Sequence, residues 1–198
     1  MSKSDLSSKI VLVIIFVVAL YVYYHIWTFD ATYMRSPLDN TEYLVQNLDQ
    51  KEGATYLLSL MHMKINTLRN HFLSVHDPSY TPYQKYIDQF CKRIKGIVLY
   101  ENAPDGKYTS FTVNKGDEMG LCLRSRKTGE LHDQNLITYV VLHELAHVAC
   151  PEQNHTDLFK EIFIFMIRTA EKLGIYEVKD YQLNPQEYCG MTLDEKLV

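Results

Sequence analysis

The sequence has little cysteine, four residues in 198. That is too few for a disulfide-built scaffold, so a folded core has to be hydrophobic. It also has no surplus of basic charge: 20 Lys+Arg stand against 24 Asp+Glu, a formal net charge of −4. Without a cationic excess there is little to displace counterions from a phosphate backbone, which argues against a nucleic-acid partner. There are no internal repeats and no low-complexity tracts. What is present is apolar surface, 46% hydrophobic and 12% aromatic residues, enough to offset the entropy of ordering. The length fits one folded domain with additions.

Charge is missing altogether from Ile10 to Phe29, and Ile10–Leu20 is wholly apolar. Twenty residues of helix rise about 30 Å, the thickness of a bilayer's hydrocarbon core. Tyr21, Tyr23, Tyr24 and Trp27 gather at the far end, where amphipathic rings favour the membrane–water boundary. Bulky aromatics stand where a signal peptide would carry its small-residue cleavage site. The expectation is an uncleaved, single-pass transmembrane signal-anchor over 10–29, in a lipid bilayer, behind a short cytosolic tail of residues 1–9. Lys3, Lys9 and the α-amino group oppose Asp5 before the span, and Asp30, Arg35, Asp39 and Glu42 follow it. The positive-inside rule then sends the C-terminal domain to the non-cytosolic side. In an oxidising space Cys91, Cys122, Cys150 and Cys189 can pair in three connectivities or remain buried thiols.

Residues 30–52 are polar, carry Ser36-Pro37, and read as a linker to a domain at 53–198. Leu57, Met61, Ile65, Leu68, Phe72 and Val75 are spaced by three or four, which predicts a long helix opened near Gly53 and ended before Asp77-Pro78. Tyr83, Ile87, Phe90 and Ile94 predict a shorter one, closed at Lys95-Gly96. His62, His71 and His76 have no ligand pattern around them and read as ordinary histidines. The period then changes to two. Ile97–Glu101, Thr109–Val113 and Met119–Arg124 read as strands joined by the turns Asn102–Gly106 and Asn114–Asp117, an antiparallel meander. Helical spacing returns after Asp133 and should stop near Ala149, because Pro151 disfavours helix at the residue before it. Asn154 or Thr156 caps a last helix closed by Lys172 and Gly174. The tail shows no regular element.

The chemistry concentrates in His143-Glu144-Leu145-Ala146-His147. Residues four apart on a helix leave the same face, so two imidazoles can grip one Zn²⁺ at about 2.0–2.1 Å. Glu144, beside them, can take a proton from a metal-activated water and pass it to a leaving group. The surrounding Val140, Val141, Leu142, Leu145 and Val148 bury this helix, and buried polar groups need partners. A catalytic zinc has three protein ligands and an open position. Cys150, Glu161 and Glu171 are conceivable third donors. His155, eight residues past His147 beyond a proline-broken turn, is the preferred one. Tyr188, in a turn shaped by Pro185 and Gly190, is the candidate hydroxyl for oxyanion stabilisation. Met191 is placed beneath the metal or as apolar filler, and Cys189 is a candidate disulfide partner for Cys150.

His143–His147 followed by Asn154-His155-Thr156-Asp157-Leu158-Phe159 resembles the WLM and SprT-like zinc metallopeptidases. These share HExxH, a loop, then a Gly-His or similar pair with an aromatic residue four further on. Leu121–Arg126 resembles the strand that precedes their zinc helix. The resemblance implies a zincin-like α+β domain with His143, His147 and His155 as zinc ligands and Glu144 as general base. It covers about 119–163, and this chain has Asn154 where a glycine is usual. Short, anchored, Tyr-rich versions resemble uncharacterised proteins of large DNA viruses, which points to a virion or host membrane. The expectation is therefore a membrane-anchored zinc endopeptidase acting on a protein or peptide substrate. The alternative is a zinc-stabilised structural or adaptor membrane protein without turnover, recognisable by a fourth ligand from Cys150 or Cys189 closing the site.

Overall fold

The computed structural model describes the backbone of residues 3–27, 31–103 and 106–194, and the side chains of these apart from 3–8 and 24–27. The chain falls into two units, Met1–Thr32 and Tyr33–Val198. The first holds helix α1, Lys3–Trp27. Its large apolar side chains from Ile10 to Tyr23 are exposed, from 46% at Val22 to 65% at Leu12. Among the described residues no helix is long and apolar enough to cross a membrane. The span expected over 10–29 is therefore not shown. The side chains of Lys3, Asp5, Tyr24 and Trp27, and the whole of residues 28–30, used above for the span and its orientation, lie outside what is described.

The stretch read as a linker contains two strands, β1 (Ala31–Arg35) and β2 (Glu42–Gln46), the latter wholly within the second unit. Tyr43 and Val45 alternate inward to 2% and 0% exposure. The run is too short for its period of two to stand out in a polar setting, and it is stabilised from outside, by the sheet. Helix α2 (Lys51–Ser74) follows, then a 3₁₀ turn over Pro78–Tyr83 and helix α3 (Gln84–Arg93). Leu58, Met61, Ile65, Leu68 and Phe72 form the inner face of α2, which packs on the sheet.

Strands β3 (Val98–Glu101), β4 (Phe111–Val113) and β5 (Glu118–Leu121) sit where a change of period predicts them, but they do not form a meander. The sheet order is β1-β2-β3-β5-β4, with β2–β3 and β3–β5 parallel and β4–β5 antiparallel. Burial gives the reason. Met119, Gly120 and Leu121 are buried, whereas β4 is half-exposed along its length, so β5 takes the interior and β4 the edge. Gly120 allows this: a Cβ there would lie 3.0–3.1 Å from the rings of Tyr100 and Phe111, which close over it.

Helices α4 (Gln134–Ala149) and α5 (Asp157–Lys172) pack on one another. The tail forms a hairpin of β6 (Gln186–Tyr188) and β7 (Met191–Leu193), turned through Cys189 and Gly190 at φ 51° and 86°. Cys189 is bonded to Cys122. This corrects the expected Cys150–Cys189 pair: Cys150 caps the end of α4 and is a buried free thiol, as is Cys91. One buried ion pair ties the sheet together. Arg124 Nε donates to Glu101 Oε1 at 2.7 Å, and Glu101 Oε2 accepts the Gln46 N–H at 2.7 Å.

Candidate metal centre

Helix α4 starts where Asp133 accepts from the N–H groups of Asn135 and Leu136, at 2.8 and 3.2 Å. Its apolar residues fix its rotation: Val141, Leu142, Leu145, Ala146 and Val148 are all 2% exposed or less. His143 and His147 thus leave one face with ring centroids 4.9 Å apart. The helix stops at Ala149, and Cys150 is extended (φ −75°, ψ 130°) ahead of Pro151. Carbonyls orphaned by that stop are taken up from other elements. Gln89 Nε2 donates to the Val148 and Ala149 oxygens, Arg93 Nη1 to Val148, and Lys115 Nζ to those of Cys150 and Pro151.

This bracing aims the following turn back at the helix. Asn154 adopts φ 67°, a left-handed conformation that Asn tolerates nearly as Gly does; hence Asn in place of the usual glycine still turns the chain. Thr156 caps α5, accepting from the Phe159 N–H at 3.3 Å and donating to Glu152 Oε2 at 2.6 Å. His155, between turn and cap, brings its Nε2 to 3.0 Å from His143 Nε2 and 3.2 Å from His147 Nε2. Phe159 is the floor beneath all three rings. It stacks on His147 at 4.1 Å and lies 5.0 and 4.9 Å from His143 and His155.

Protons cannot account for this cluster. An imidazole Nε2 carries one hydrogen or one lone pair, so His155 Nε2 cannot satisfy two neighbouring nitrogens with normal hydrogen bonds. A cation can. Three nitrogens around a tetrahedral Zn²⁺ at 2.0–2.1 Å stand about 3.3–3.4 Å apart, close to the separations found. Burial, then the neighbouring rings, pushes His143 down to about 3. Burial first, with His155 and Lys115 behind it, pushes His147 down to about 4. Both are neutral at pH 7 with lone pairs to offer. Among the described residues no fourth His, Cys, Asp or Glu joins the group. Glu161 and Glu171 are exposed on α5, Cys189 is in the disulfide and Cys150 is buried apart.

Glu144 is 8% exposed and has no hydrogen-bond partner among the described residues. Burial pushes its carboxyl up to about 7. Tyr188 lies near enough to feel its charge but is 1% exposed, and its hydroxyl is hydrogen-bonded with Ser110 Oγ at 2.5 Å. Ser110 Oγ also accepts the Cys122 N–H at 3.1 Å. The hydroxyl is thus committed within the protein rather than presented to solvent, which corrects the expectation of a direct oxyanion donor. A cavity of about 470 Å³ opens beside His143 and His155. Met191, read as apolar filler or as lying beneath the metal, stands on the wall of this cavity, 49% exposed. A larger hollow of about 900 Å³, lined by Lys64, Asp133 and Glu177, holds no histidine. The residues that sequence reasoning missed are the braces Gln89, Arg93 and Lys115. No local pattern marks them, because their partners are 35–60 residues away.

No family model matches the chain. It is 55% identical over 169 residues to "Uncharacterized protein R325" of Acanthamoeba polyphaga mimivirus, covering 85% of each chain. A shorter stretch of 83 residues is 41% identical to "Uncharacterized protein 136R" of Invertebrate iridescent virus 6, 40% of this chain and 44% of that one. Among solved structures the fold is similar to that of Wss1 from Saccharomyces cerevisiae, with a TM-score of 0.50 and 20% identity, over 66% of this chain and 87% of that chain. At that identity the likeness is one of fold.

Proposed function

This chain belongs to one family with the mimivirus protein R325, and on that premise we propose that it is a zinc-dependent peptidase. The observation that carries the reading is the convergence of three Nε2 atoms, 3.0 and 3.2 Å apart, beside an open cavity. The fold shared with Wss1, a zinc metallopeptidase of the WLM family, supports it. His143, His147 and His155 would hold the ion, with Phe159 fixing their rings. When bound, Zn²⁺ supplies Lewis acidity towards a water and a scissile carbonyl. Glu144 accepts a proton from the attacking water at its carboxylate and returns it to the leaving amine. Its buried, unpartnered carboxyl raises its basicity towards the working pH. Tyr188 acts as a positioning residue, packing behind Glu144 while Ser110 holds its hydroxyl. Three donors, with no fourth among the described residues, favour turnover over a purely structural zinc.

Residues 10–29 we assign to a membrane anchor. The absence of charge and the exposed apolar side chains of α1 support this. The Cys122–Cys189 disulfide supports an oxidising, non-cytosolic side for the domain. The test uses full-length chain in detergent, loaded with zinc or stripped by chelator. Loaded protein should bind one zinc and cleave a peptide library. Stripped protein and Glu144→Gln should not cleave. Cleavage that survives both would refute the mechanism.

A further inference from the structure

The cavity beside the histidines has a composition of its own. Its inner surface is made by the rings of Tyr139, Phe159 and Phe163, and its outer wall by Met191 and Leu193 of β7. Among the described residues the charged side chains on it, Lys160 and Asp194, are of opposite sign, so together they do not select a charged group. A volume of about 470 Å³ exceeds what the cluster of imidazoles needs and suits one or two large side chains.

The wall is held from behind. Cys189, in the turn between β6 and β7, is bonded to Cys122 at the end of β5. Tyr188, before that turn, is hydrogen-bonded to Ser110 on the loop that leads into β4. The Cys189 N–H also points to His132 Nε2 at 3.3 Å. The disulfide and two hydrogen bonds fix a short hairpin whose Tyr188 and Cys189 are each 1% exposed. Met191 is nevertheless left 49% exposed on the cavity side. A preformed apolar wall facing a candidate reaction centre limits the entropy lost when a ligand side chain is seated there.

We infer that this cavity is a substrate subsite that takes a large aliphatic or aromatic side chain adjoining the scissile bond. The inference rests on the peptidase reading of the histidine cluster, whose chain-binding face the cavity adjoins. The occupant is a peptide side chain because the pocket borders His143 and His155 themselves, so a chain lying across their nitrogens has to place a side chain in it or leave it empty.

Binding of fluorescent peptides to zinc-loaded Glu144→Gln full-length protein, followed by anisotropy, separates this inference from hydrolysis. The peptides differ at one residue, Gly, Ala, Leu, Phe or Glu. Leu and Phe peptides should bind at least about tenfold more tightly than Gly, as expected for burying such a side chain. Met191→Lys, at an exposed position, should weaken Leu binding several-fold and strengthen Glu binding. Equal affinities across the series would overturn the subsite. Equal affinities that all rise when residues 195–198 are deleted would make the chain's own end the occupant, and also overturn it. Discrimination by the Gln variant without any hydrolysis by the parent would leave the cavity as a binding site for a peptide side chain and refute both the peptidase reading and the place of the cavity beside a scissile bond.

Discussion

Replacing Glu144 by Gln should damage catalysis and stabilise the fold, and both effects follow from one environment. The carboxyl is 8% exposed, lacks a hydrogen-bond partner among the described residues, and is pushed by burial from 4.5 up to about 7. A folded-state value above the unfolded one means the folded protein holds the extra proton between those limits. Its stability therefore falls as pH rises from 4.5 to 7, and the full penalty is present above 7. A shift of about 2.5 units corresponds to roughly 3 kcal/mol. Gln has the same shape and no charge to desolvate, so it removes that penalty. In metal-free protein at pH 8, Glu144→Gln should raise stability by up to about 3 kcal/mol, roughly 6–12 °C in Tm for a domain of this size. At pH 4.5 the gain should vanish. Zinc-loaded, the same variant should lose about 10²–10⁴ in rate, the usual contribution of general acid–base catalysis. Chelator-treated melts at the two pH values and single-turnover peptide cleavage are the assays. Equal Tm for parent and variant at pH 8 would refute the argument that this carboxyl is buried without compensation.

Four further outcomes are expected. His155→Ala should leave the fold intact and lower zinc affinity by at least about 100-fold, since structural sites bind zinc with about 10–16 kcal/mol shared among a few ligands; competition with a chromophoric chelator measures it. In metal-free protein His143 and His147, held down at about 3 and 4 mainly by burial, should still be unprotonated at pH 5.5, read from their imidazole NMR shifts. In the metal-free Glu144→Gln protein the unfolded state then binds more protons below pH 6.5, so stability should fall as pH drops from 6.5 towards 4, read as a urea midpoint. Cys122→Ser with Cys189→Ser opens a loop spanning 67 positions, which should reduce stability by about 2–4 kcal/mol and make the melt insensitive to dithiothreitol.

The likeness to viral proteins and to a yeast structure bears unevenly on these points. The mimivirus relative covers most of the chain and shows family membership. The likeness to Wss1 supports the fold alone. The chemistry is argued from this chain's own side chains, above all from a His155 nitrogen that faces two others at once.

Local pattern was enough for the helices and their ends. Asp133 and Thr156 were legible as caps, Pro151 as a stop, and residues 143 and 147 as sharing a face, because each depends on neighbours within one helical turn. Strand positions 98–101 and 118–121 were legible for the same reason, their period being local. Strand order was not. Nothing in the alternation of Phe111–Val113 says that it lies at the edge, nor that β5 slips between it and β3, since that choice is settled by how much apolar surface α2, α3 and α4 can cover. The same holds for Cys189, whose partner Cys122 lies 67 positions away, for the strands hidden in 31–46, and for Tyr188, whose hydroxyl is claimed by Ser110. The sequence alone determined which groups could do chemistry; the tertiary fold decided which of them meet, because side-chain period is encoded within a few residues whereas contact between distant segments is set by packing the whole chain at once.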